Sequence, residues 1–252
     1  AGPTPLYLPR YALGQTLDFL RTTRANAVFV DVDTSAGPSA QDDRYFAEAI
    51  DRWRATPGAP LLILARTDWT TPSIFERTGI APLRPSDHVV EAQVRISSSD
   101  NEVDSVEYWS CEGTGAARAP RANASVYLAA AARFGDGAKG KAAVQKGLDG
   151  IRCSGKPGDL VIATPGRPME FGAHTGPIYY HLAMEDRPSP TGDGVLWSSG
   201  NWKTERLRPD LARRCGQDSA PVAMRVRVMD LLTAADAPNV STEAYCGRTI
   251  VV

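Results

Sequence analysis

The sequence predicts an α/β fold: a mainly parallel sheet flanked by helices, with antiparallel additions and an irregular, disulfide-stabilised excursion. Three observations predict it. Helical and strand patterns alternate through roughly the first 80 residues, as they do where a parallel sheet is built from crossover units. Two short stretches, Asn26 to Asp33 and Pro60 to Ala65, are nearly continuous apolar runs, the pattern of strands covered on both faces. Four cysteines (Cys111, Cys153, Cys215 and Cys246) come in an even number without C-x-x-C spacing, which fits disulfides better than a zinc site.

Taken in order, the first helix follows Pro9-Arg10, with Leu13, Leu17 and Leu20 on one stripe. Ala27-Val-Phe-Val30 then reads as a buried strand that opens at its carboxyl end into Asp31, Asp33, Ser35, Gly37 and Pro38. Ser39 and Asp42 form a cap signal, and Phe46, Ala49, Ile50 and Trp53 line the inner face of the second helix. A second buried strand ends at Ala65. Thr71-Pro72 predicts the start of a short helix with Pro at its first position. Beyond Gly79 the alternation loosens, and Val89 to Ile96 and Val103 to Trp109 are expected to be antiparallel strands. Asn123 to Phe134 and Ala138 to Leu148 read as helices and Asp159 to Ala163 as a strand. The stretch from Gly166 to Pro221 is rich in Gly, Pro and aromatics and forms the excursion. Val222 to Val228 reads as a strand, Met229 to Ala235 as a helix and Thr249 to Val252 as a last strand. The chain starts with Ala and stops inside that strand, so it is expected to be cut from something longer. One domain over residues 1–252 is expected, with the excursion at about 166–221.

The 28 basic and 29 acidic side chains leave a net charge of −1, which argues against nucleic acid as a partner. No apolar run approaches the roughly 20 residues of a membrane span, and the polar, Pro-rich start carries no signal peptide. Four cysteines allow three connectivities. If neighbours in sequence pair, the loops close over 42 and 31 positions, worth about 3.5–4 kcal/mol each in the chain-entropy model. Disulfides favour an oxidising compartment.

The densest polar group is Asp31, Asp33, Ser35, Asp42 and Asp43, at a strand's carboxyl end, where open α/β sheets bind ligands. These acids can hold Mg²⁺, cap the next helix or grip a basic ligand. Val28 to Ser35 resembles the first motif of haloacid-dehalogenase-type phosphatases. That resemblance implies Asp31 as nucleophile and Asp33 as general acid/base beside Mg²⁺. The preceding helix and the weak later acidic pair, Glu185-Asp186, depart from that pattern. Gly135 to Ala142 is close to a phosphate-binding P-loop, but it carries Ala142 where Ser or Thr belongs and follows a helix, so a helix-to-helix turn is the better reading. His88, His174 and His181 form no metal or catalytic spacing, and no G-x-S-x-G elbow occurs. Asn123-Ala-Ser125 and Asn239-Val-Ser241 fit the glycosylation sequon. No cofactor or metal is expected.

The order of features resembles the type 2 CHASE domain, an extracytoplasmic sensor of bacterial signalling proteins. The resemblance rests on Pro9-Arg10 with its Leu-striped helix, on Ala27 to Asp33, and on Asp42 or Asp43 ahead of Phe46-Ala-Glu-Ala-Ile50. Leu61 to Ala65, Glu102-Val-Asp104 to Tyr108 and Ala124 to Phe134 continue it, and Met229-Asp-Leu-Leu232 with Gly247-Arg-Thr-Ile-Val-Val252 closes it. The family's first strand, ahead of the Pro-Arg helix, has no counterpart here. The resemblance implies a domain without chemistry of its own, on the periplasmic or cell-surface side of the inner membrane. Its expected partners are an unidentified small-molecule ligand, and membrane spans and a cytoplasmic signalling output domain in the longer protein, with homodimerisation left open. Ligand contacts are expected among Arg10, Asp31, Asp33, Asp42 and Asp43. A magnesium-dependent phosphatase and a non-catalytic protein-interaction module are the alternatives.

Overall fold

A computed structural model describes residues 10–34, 39–99, 102–114, 118–154, 158–172, 175–177, 204–206, 209–216, 219–221 and 245–252. Helix α1 (Arg10–Leu20) buries Leu13, Leu17 and Leu20 on its predicted stripe. Strand β1 (Ala27–Val30) is buried along its whole length. Helix α2 (Ala40–Ala55) starts where the Ser39 side chain accepts the Asp42 N–H, and its inner face buries Phe46, Ala49, Ile50 and Trp53. Strand β2 (Leu61–Ala65) is again buried throughout. Helix α3 (Ile74–Thr78) begins later than Pro72 predicts. A reciprocal capping box between Ser73 and Glu76 supplies the start, and Gly79 ends the helix in the left-handed region at φ 71°.

Strand β3 (Val89–Ala92) corrects one expectation. It pairs parallel to β2, with Leu62 opposite Val89 and Ala65 opposite Ala92. The segment containing α3 is the crossover that makes this possible, since parallel neighbours need a long connection. The antiparallel expectation holds for the next pair, β4 (Ile96–Ser99) and β5 (Glu102–Glu107). Then come the hairpin β6 (Trp109–Glu112) and β7 (Ala119–Ala122), α4 (Ala124–Phe134), α5 (Gly137–Asp149), and the antiparallel pair β8 (Leu160–Ile162) and β9 (Met169–Phe171). Of the remainder, β10 (Thr175–Pro177) pairs with β5 and β11 (Thr204–Arg206) with β12 (Ser219–Pro221), with α6 (Pro209–Cys215) between the last two. Finally, β13 (Thr249–Val251) returns parallel to β1. The strand and helix expected over Val222 to Ala235, and most of the Gly166 to Pro221 excursion, lie outside the described residues.

The central sheet runs β13-β1-β2-β3, and every neighbouring pair in it is parallel. Alternating side chains send Val28, Val30, Leu62, Leu64 and Val89 to a core under α1, α2 and α3, while Ala27, Phe29, Leu61, Ile63 and Val90 face α4 and α5. The two disulfides are Cys111–Cys153, joining β6 to the chain after α5, and Cys215–Cys246, joining α6 to the chain ahead of β13.

The near-P-loop is a packing device. Gly135 ends α4 at φ 63°, and the Asp136 side chain caps α5 by accepting the Lys139 N–H. A Cβ on Gly137 would lie 2.2 Å from the Asn26 carbonyl oxygen, and one on Gly140 2.6 Å from the Ala131 nitrogen, so glycine sets the close approach of these backbones. Lys141 is buried and donates to the carbonyls of Pro85 and Asp87. Burial pulls its pKa down, against the raising effect of Asp87.

Candidate functional site

The predicted acidic group divides into two sets. Arg10 and Asp43 are both buried and meet at 2.6 Å. Arg77, which sequence reasoning missed, approaches the other Asp43 oxygen at 3.0 Å. The two guanidiniums also donate to the backbone carbonyls of the loop after β1: Arg10 to Asp33 at 3.1 Å and Arg77 to Thr34 at 2.9 Å. Burial lowers the Arg10 pKa, and Asp43 opposes that shift. The arrangement is a clasp: one buried carboxylate holds two arginines, and these hold the loop.

Asp33 points the other way along the edge. Its carboxylate accepts from the backbone N–H of Thr67 at 3.3 Å and from the Thr67 hydroxyl, tying the loops after β1 and β2 together. Asp31 is exposed and donates its backbone N–H to the Val252 carbonyl. Asp42 is half-buried and bonds locally to Ser39. Ser35, His174, His181 and Asn239 lie outside the described residues. Asn123 is buried: it caps α4 through the Ser125 N–H and donates to the Arg95 carbonyl, which leaves no room for a glycan. Among the described residues no three His, Cys, Asp or Glu side chains gather as a metal site.

A second polar group, not singled out in the sequence, sits at the carboxyl ends of β2 and β3. Arg66, directly after β2, is buried. It donates to Glu91 of β3 at 2.9 Å and to the Asp68 and Thr71 carbonyls. The guanidinium carbons of Arg66 and Arg121 each lie 4.6 Å from the centre of the Trp69 ring. Gln93, fully buried one step beyond β3, bonds Ser110 at 2.6 Å. Ser110 in turn faces Arg121 across the β6–β7 hairpin. The N–H of Ala124, which begins α4, donates to the Gln93 carbonyl.

What sets this group apart is unused hydrogen-bonding capacity. Trp69 Nε1, Glu91 Oε1, Gln93 Nε2 and Ser125 Oγ are buried atoms without a partner among the described residues. Native proteins pair almost all such atoms, so four gathered around one sheet edge call for an explanation. Ser110 Oγ lies 2.6 Å from Gln93 Oε1 and 2.5 Å from Glu112 Oε1. One hydroxyl proton cannot serve both, and the carboxylate is the stronger acceptor. The amide is therefore better turned with its NH₂ toward Ser110, which leaves its oxygen as the open end.

Burial raises the Glu91 pKa above the ordinary 4.5, against the lowering effect of Arg66 and Arg121, and Glu76 adds to the rise. For a carboxyl raised in the native state, the stabilising contribution is complete below the unfolded value and is lost as pH climbs through the native one. Glu91→Gln is therefore expected to remove a decline. As pH rises above the ordinary carboxylate range, the wild-type unfolding midpoint should fall relative to the variant. Parallel urea titrations check it, and midpoints that stay a constant distance apart would refute it.

One signal could have located this group. The rule that directed attention to the loop after β1 applies equally to the loop after β2, where Arg66 and Trp69 flank Thr67 and Asp68. A groove of about 560 Å³ along α2, lined by Ala40, Gln41, Arg44, Tyr45 and Glu48, gathers no group from a second element among the described residues. Comparison of the chain with protein-family models, with curated proteins and with solved structures finds no match in any of the three.

Proposed function

We propose that this chain is an extracytoplasmic ligand-binding domain of a bacterial transmembrane signalling protein, of the kind type 2 CHASE domains represent, and that it is not itself catalytic. One observation carries the ligand-binding reading: the cluster of unpartnered buried polar atoms at the carboxyl edge of the parallel sheet, the edge where Asp31 and Asp33 also stand. The two disulfides support an oxidising compartment. Among the described residues no helix is long and apolar enough to cross a membrane. Signalling then follows from differential affinity, with ligand binding one conformation better and shifting the population toward it.

The test is thermal unfolding across a broad panel of sugars, polyols, amines, organic anions, amino acids and nucleosides. A ligand at about a hundred times its Kd stabilises by about 2.7 kcal/mol, which in a chain of this size raises Tm by about 5–10 °C. No shift with any compound would favour the protein-interaction module. Phosphate release from an aryl phosphate with Mg²⁺, lost in Asp31→Asn, would replace the proposal with the phosphatase. Intact mass after denaturing alkylation tests the compartment, since four alkylated thiols without reduction would remove its support.

A further inference from the structure

We infer that Cys111–Cys153 is a redox-sensitive latch on the β6–β7 hairpin, opened by a small dithiol, while Cys215–Cys246 is a permanent brace. The inference stands apart from the ligand-binding reading, since it needs no ligand. Exposure separates the two bonds. Cys111 and Cys153 are both half-buried, whereas Cys215 and Cys246 are buried. Exchange begins when a thiolate reaches a disulfide sulfur, so access governs which bond reacts. Charge helps at the open bond. Arg152 precedes Cys153 and is exposed, and exposed Arg118 donates to the Cys111 carbonyl at 3.4 Å. Positive charge stabilises the thiolate that leaves. Glu112, the acid beside Cys111, is already held by Arg95 at 2.9 Å. Arg213 and Arg214 precede Cys215 as well, so access, and not charge, sets the order.

The open bond also sits where its release changes something. Each strand of the hairpin is four residues long, and a two-stranded hairpin is marginal by itself. Pro120, opposite Cys111, has no N–H to give the ladder. Alternation puts Ser110 and Glu112 on one face of β6 and Trp109 and Cys111 on the other. Ser110 and Glu112 tie the hairpin to the sheet edge through Gln93 and Arg95. Trp109 and Cys111 face the core under α4 and α5. Helix α5 closes at Gly150, so Cys153 lies in the connection to β8. The disulfide is the covalent link between that connection and the hairpin.

The step is thiol–disulfide exchange. A thiolate of the dithiol attacks one cysteine sulfur, the S–S bond breaks, and the other cysteine leaves as a thiolate. The second thiol of the reductant then attacks the mixed disulfide, closes its own disulfide and frees the remaining cysteine. Two electrons and two protons pass from the dithiol to the cysteine pair. The closed form is the resting state in an oxidising compartment. Opening leaves the hairpin on its polar ties and on buried Trp109. The central sheet is untouched, while β7 and the Arg121 stack on Trp69 loosen together.

The experiment exposes the intact chain to graded dithiothreitol without denaturant, blocks the freed thiols by alkylation and maps them by mass. Cys111 and Cys153 should be labelled about tenfold faster, or more, than Cys215 and Cys246. At the dose that opens only the first pair, the far-UV spectrum should stay unchanged. Amide exchange should then quicken about tenfold or more at Asn123 and Gln93, which donate to the Tyr108 and Ala122 carbonyls, but not at Leu62. Oxidised glutathione should restore the slow exchange. The double variant Cys111→Ser with Cys153→Ser should show the fast exchange without reductant. Equal labelling of all four cysteines, earlier labelling of Cys215 and Cys246, or no labelling short of unfolding overturns the inference. Selective opening that leaves Asn123 and Gln93 as slow as before also overturns it, because the bond then holds nothing. Loss of the far-UV signal on selective opening, or a double variant that does not fold, makes this bond a second brace and overturns the latch as well.

Discussion

Asp43→Asn is expected to destabilise the fold by about 3–5 kcal/mol, the cost of removing one partner from a buried ion pair. Asp43 keeps only 6% of its side-chain surface exposed and Arg10 3%, so water cannot replace the lost charge. The cost arises on the arginine side. Burial already lowers the Arg10 pKa and Asp43 is the main opposing influence, so the variant leaves a desolvated guanidinium without its buried carboxylate. Arg77 suffers less: it is 23% exposed and keeps its bonds to the Pro72 and Thr34 carbonyls. The double variant Arg10→Met with Asp43→Leu should therefore recover much of the loss, because well-packed apolar residues can replace a buried pair at little cost. Urea midpoints for the two singles and the double complete a mutant cycle. Additive effects would show that the clasp is not coupled. Asp31→Asn, on an exposed side chain, should shift the midpoint by less than about 0.5 kcal/mol.

The contrast between Asp43 and Asp31 shows what the sequence reveals of this edge and what it conceals. Ala27 to Val30 and Leu61 to Ala65 are legible because strands covered on both faces must be apolar throughout. The Leu13, Leu17 and Leu20 stripe is legible because a helix repeats its buried face. Strand β3 is legible as a strand but not as a parallel one, because its four residues include Glu91, a charge that reads as a wet face and is met by Arg66 from 25 positions away. Arg10 and Asp43 can be picked out as residues, but their pairing, and the part of Arg77, depend on α1, α2 and α3 packing on one face. The Trp69–Arg121 contact joins a loop to a hairpin 52 positions on and leaves no periodic trace. Chemistry carried by local spacing is readable in such a chain. Chemistry assembled by crossover connections is readable only as composition at strand ends.

Replacing Cys215 and Cys246 together by Ala is expected to cost about 3.5–4 kcal/mol in the chain-entropy model, for a loop of 31 positions. The loss should also be concentrated in one place. Both cysteines are buried, at 7% and 4% exposure, and the bond fixes the approach of the chain to β13. The same junction is held by Asn26, which donates to the Gly247 carbonyl and accepts from Arg214. Among the described residues β13 pairs only with β1, and just past its far end the Val252 carbonyl accepts the Asp31 N–H. Losing the disulfide should therefore speed amide exchange at Asn26, Asp31 and Val252 more than at Leu62, which bonds His88 between β2 and β3. Uniform loss of protection at all four amides would mean that β13 is no separate unit. Preferential loss at the first three would mean that the covalent link on one side of the sheet governs the backbone at Asp31. The loop after β1 is bound through Asp33 to Thr67, the neighbour of Arg66, so the disulfide and the Trp69–Arg121 contact would then belong to one mechanical path.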